Sequence, residues 1–195
     1  MALLIFLILL LNLVISFWNA YAVGKAWVET KHSGGWPRFM AWMGAAMSAL
    51  GFTWCYLVIA TVVVIILNWL TPEEAEVMLN LGYILVIPGV LFSGLMITLD
   101  SWANAYRRRT VASAGVAGYN TFAQIYNTYQ AIQYIPDAFA RVLEFFIPKK
   151  SSSKDSASAF LIILIVILAL FGGILTTAAI INRVAASDEP LPIKY

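Results

Sequence analysis

Charge is missing from four long stretches of this 195-residue chain, and that absence limits the possible folds more than any motif does. No Asp, Glu, Lys or Arg occurs before Lys25, from Phe39 to Pro72, from Val77 to Leu99, or from Ser156 to Asn182. A helix needs about 20 apolar residues to cross a hydrocarbon core about 30 Å thick, and each stretch is long enough. Lipid offers backbone groups no water, so such spans must be helical; blocks such as Phe160–Leu170 lack the alternation of a membrane barrel strand. With 62% hydrophobic and 11% charged residues, the chain cannot cover a water-facing surface in the usual way.

The expected fold is an all-α integral membrane protein with four transmembrane helices, near 2–24, 39–70, 76–99 and 159–182. A cytoplasmic amphipathic helical segment is expected between the third and fourth. This divides the chain into a three-span region (1–109), a cytoplasmic or interfacial helical loop with a polar linker (110–157), and a last span with a short non-cytoplasmic tail (158–195). The second stretch, at 34 residues, would reach about 51 Å as a helix, so it must tilt or begin at the interface near Pro37 and Trp42. Ala20-Tyr21-Ala22 resembles a cleavage site, but no basic segment precedes the apolar run, so it is read as a retained first span.

Orientation follows from lysine and arginine. Lys25, Lys31 and Arg38 fall in the first loop, and the second holds only Glu73, Glu74 and Glu76. The third holds Arg107, Arg108, Arg109, Arg141, Lys149, Lys150 and Lys154, and the tail Arg183 and Lys194. Both larger loops are therefore expected in the cytoplasm and both termini outside, with a bacterial inner membrane as the setting.

Thr71-Pro72-Glu73-Glu74 reads as a capping box opening the third span, rather than as a catalytic carboxylate pair. Pro88-Gly89 should kink that span. At its far edge Asp100 shares a helical face with Asn104, Arg107 and Arg108, and reads as a salt-bridged boundary acid or as an ion site. Asn12, Ser16 and Asn19 stripe the first span, either to bond a neighbouring helix or to line a polar path. Small residues recur four apart, as in Ala20/Gly24, Gly44/Ser48, Ala45/Ala49, Ala114/Gly118, Ala169/Gly173 and Gly173/Thr177, which suits close helix packing.

A fifth uncharged interval, Thr110 to Pro136, is rich in Tyr, Asn, Gln and Thr. It reads as a membrane-surface or water-facing helix, with a re-entrant or spanning role as the alternative. Tyr119-Asn120-Thr121-Phe122 recurs as Tyr126-Asn127-Thr128-Tyr129, and Phe122, Ile125, Tyr129 and Ile132 follow the 3-4-3 spacing of a packing seam. Beyond Pro136 a second amphipathic pattern places Phe139, Val142, Leu143 and Phe146 on one face, followed by Lys149 and Lys150. With Arg107, Arg108 and Arg109, these residues suit an anionic inner leaflet.

Chemistry is sparse. One histidine (His32) and one cysteine (Cys55) exclude His-pair metal motifs and an internal disulfide framework, and no Gly-rich phosphate loop occurs. His32-Ser33 has no third group to orient it as a nucleophile and base. A formal charge of +2 does not support nucleic-acid binding. No cofactor, metal or catalytic residue is expected. The leading expectation is a non-enzymatic subunit that assembles a larger membrane complex, as a homo-oligomer or with other membrane or cytoplasmic subunits. Small polytopic components of secretion, conjugation or membrane-linked defence complexes share this size and build by architectural analogy only. The alternative is a homo-oligomeric channel for ions or small solutes along the first-span stripe.

Overall fold

The computed structural model describes residues 2–31, 34–147 and 153–188. These form five helices: α1 (Ala2–Glu29), α2 (Gly35–Ile66), α3 (Pro72–Arg108), α4 (Val111–Phe146) and α5 (Ser153–Asp188). Four of them, α1, α2, α3 and α5, are long and apolar enough to cross a membrane. An all-helical polytopic membrane protein is the class this defines.

Local chemistry sets the helix ends. Thr71 Oγ1 accepts from the Glu74 N–H (3.2 Å) while Glu74 Oε2 accepts from the Thr71 N–H (2.7 Å), so the expected capping box is formed, with Pro72 in the first turn. α2 stops at Ile66, short of the expected residue 70. Asn68 turns left-handed (φ 53°), and the N–H groups of Asn68 and Trp69 return to the carbonyls of Ile65 and Val64. That is a Schellman closure, in which Asn takes the place glycine usually holds. α3 gives way to α4 across only Arg109 and Thr110: Arg109 is left-handed (φ 51°), and Thr110 caps α4 with Ser113.

α2 is central, packed against α1, α3 and α5, and α1 also packs on α5. Small residues make these approaches possible. A Cβ on Gly24 would strike Val184, one on Gly44 would strike Val23, and one on Gly173 would strike Thr53 and the Ala49 carbonyl. Ser48 Oγ donates to the Ser16 carbonyl (2.7 Å), and Thr177 Oγ1 donates to Ser48 Oγ (3.3 Å), which ties α1, α2 and α5 together. Gly118, in contrast, has no neighbour in reach among the described residues, so it makes no such approach there.

The largest departure from expectation is α4. It is one helix that continues through Pro136, with no break into two amphipathic pieces. It runs back along α3 in antiparallel register: Asn120 Nδ2 donates to Ser101 Oγ (2.6 Å), Trp102 Nε1 to Thr121 Oγ1 (2.9 Å), and Gln124 Nε2 to the Leu91 carbonyl (3.0 Å). Tyr83 meets Tyr134 edge-on, and Arg141 pairs with Glu76 at 2.6 Å. The segment does not lie across the end of the bundle; it traverses its length. Two ends can thus be distinguished, an arginine end where α3 meets α4 and a glutamate end where α2 meets α3.

The same geometry separates the two ends of the described chain. Cys55 reaches the Leu9 carbonyl, so α1 starts near the close of α2; Gly24 abuts Val184, so α5 finishes where α1 does. Ala2 and Asp188 lie at opposite ends of the bundle.

Candidate functional site

Between α1 and the α3–α4 pair, with α2 as floor, lies a groove of about 300 Å³. Asn12, Ser16 and Asn19 of α1 line it, as do Met47, Leu50, Gly51 and Trp54 of α2, Tyr83, Val86, Ile87 and Val90 of α3, and Asn127 of α4. The stripe read on the first span therefore faces a real cavity. Gly51 leaves room for it, because a Cβ there would run into Ser16 Oγ. The α3 wall is the segment around Pro88, which α3 carries without interruption.

The groove lies near the middle of α1, α2 and α4 and in the first half of α3, and among the described residues no charged side chain lines it. Ser16 is buried, and its carbonyl is already engaged by Ser48. Tyr83 lines the groove, and among the described residues its buried hydroxyl has no hydrogen-bond partner, nor have Asn80 Nδ2 and Gln124 Oε1. Buried polar groups are nearly always paired, so these three atoms on α3 and α4 stand out.

Sequence reasoning missed Asn127 and Tyr83 as groove residues. A signal existed for Asn127: Asn120, Gln124 and Asn127 fall at helical spacing and form one polar face. Tyr83 has no comparable marker.

The expected contact seam is exposed. Tyr119, Phe122, Ile125, Tyr126, Tyr129 and Ile132 are each more than half accessible, while Asn120, Thr121 and Gln124 turn towards α3. The second expected face divides. Phe139 and Leu143 are exposed, but Val142 is buried in a core with Leu57, Met78, Ile162 and Val166, and Phe146 packs against that core. Val142 and Phe146 thus point into the interior, where the end of α4 packs along α3. Lys149 and Lys150 lie outside the described residues.

Asp100 sits at the arginine end and accepts from Trp36 Nε1 (2.7 Å) and Asn104 Nδ2 (2.8 Å); Arg107 reaches only Asn104 Oδ1 (3.0 Å). The expected salt bridge is replaced, among the described residues, by a bracket joining the start of α2 to the end of α3. Arg38 stacks over Trp27 (3.5 Å to the ring centroid) and donates to its carbonyl (3.1 Å), while Arg108 and Arg109 are exposed there. Compared with known protein families, with curated proteins and with solved structures, the chain matches none.

Proposed function

We propose that the chain is a non-enzymatic membrane subunit that assembles a larger complex, with the outward face of α4 as its contact surface. The observation that carries this reading is the placement of Tyr126 and Tyr129. In the register set by Gln124–Leu91 and Tyr83–Tyr134 they fall level with the middle of α3, yet both face outward. Tyrosine suits the headgroup region, where its hydroxyl meets water, and at mid-depth it gains more from a protein neighbour than from lipid tails.

On this reading α4 is a fifth crossing helix, apolar outside and polar towards α3. The arginine end carries Lys25, Lys31, Arg38, Arg107, Arg108, Arg109 and Arg183, which by the distribution of basic residues would face the cytoplasm. A bacterial inner membrane remains the proposed setting. Mild detergent extraction followed by mass measurement tests the assembly. Phe122→Ala with Tyr129→Ala should release a co-purifying subunit or lower the oligomeric mass; unchanged mass and composition would refute it.

The groove favours a second reading, a homo-oligomeric channel with Asn12, Ser16 and Asn19 along its path. Reconstituted protein should then conduct, and Asn12→Leu with Asn19→Leu should abolish the current.

A further inference from the structure

We infer that the mid-height groove is a binding site for an uncharged amphiphile with a compact carbonyl-bearing head and an apolar tail. Three features of the site lead there. Its volume, about 300 Å³, suits a single small ring or glyceride head. Its lining is aliphatic and aromatic except for a few convergent hydrogen-bonding groups, notably Asn12, Asn19 and Asn127. None of these three amides bonds another group of the chain among the described residues, although all three are partly buried.

Depth and charge then narrow the ligand class. Residues 12–19 lie near the middle of α1, residues 47–54 near the middle of α2, and residues 83–90 in the first half of α3, level with the centre of α4. A phospholipid headgroup sits at the membrane surface and does not reach this level. With no lysine, arginine, aspartate or glutamate in the lining among the described residues, a charged ligand would be buried uncompensated. An uncharged head meets neither obstacle: amide N–H groups donate to its carbonyl oxygens while Leu50, Val86 and Val90 pack the remainder. α1 and α4 face each other across the groove without extensive packing, which leaves a sideways exit for an acyl or prenyl tail into lipid. The occupant therefore comes from the bilayer core. A quinone and a diacylglycerol share this chemistry.

The full chain in phosphatidylcholine nanodiscs can be equilibrated with either a decyl-substituted benzoquinone or dioleoylglycerol, washed, and its retained ligand counted against empty nanodiscs. Saturable retention approaching one molecule per chain is expected for at least one of the two. Which of them is retained identifies the source. Asn12→Leu with Asn19→Leu, and separately Asn127→Leu, should lower retention at least tenfold while the thermal midpoint stays within a few degrees. Retention equal to empty nanodiscs for both probes overturns the proposal, as does undiminished retention in the asparagine variants. Should those variants instead lower the oligomeric mass with no effect on retention, the groove holds a second copy of the chain and the proposal fails. The Phe122 and Tyr129 variants act on the outward face of α4, so the assembly reading stands or falls separately.

Discussion

Gly173 and Gly118 both sit within long helices, but only Gly173 is pressed against a neighbour. A side chain on Gly173 would collide with Thr53 and the Ala49 carbonyl, whereas nothing lies within reach of Gly118. Overpacking a tight contact costs about 1–3 kcal/mol, and a change at an open position usually less than about 0.5 kcal/mol. Gly173→Leu should therefore lower the thermal midpoint in detergent by several degrees, and Gly118→Leu should leave it nearly unchanged. Thr71→Ala tests the helix start in the same assay. Loss of its side-chain cap should destabilise by about 1 kcal/mol, a smaller shift than Gly173→Leu produces.

At the scale of helices, α4 decides the topology. If it crosses the membrane, cysteines placed at Ser113 and at Glu144 should react with an impermeant thiol reagent from opposite sides. If it lay along one surface, both would react from the same side. Cys55, 1% exposed, should stay silent and need not be replaced. The four apolar spans and the Thr71 cap were legible in the sequence because charge-free length and cap chemistry are local signals. α4 was not. Its polar residues look unfit for lipid until Asn120 and Gln124 are seen bonded to Ser101 and the Leu91 carbonyl, partners that sequence spacing does not reveal. The end of α2 was legible in principle, since Asn68 is the kind of residue that accepts a left-handed turn, but the apolar run through Leu70 masked it. As for the site, the Asn12–Asn19 stripe could be read from the first span alone, whereas the opposite wall at Tyr83 and Asn127 exists only once α3 and α4 pair.

For the whole molecule, five antiparallel helices separate the two described ends of the chain. A reporter fused before Ala2 should signal from outside and one fused after Asp188 from the cytosol. Reporters signalling from the same compartment would mean that α4 does not cross.

The two-residue turn at Arg109–Thr110 bears on how this protein is made. If α4 crosses the bilayer as proposed, Asn120, Gln124 and Asn127 fall at levels where an isolated segment would partition poorly, and its entry would depend on its pairing with α3. On that reading so short a join would hold the pair together as they leave the ribosome, and insertion would be a single hairpin event rather than two successive ones. A long Gly/Ser insert at that turn would uncouple the steps and strand α4 in water. Biogenesis, as much as folding, would then depend on how close those two helices are along the chain.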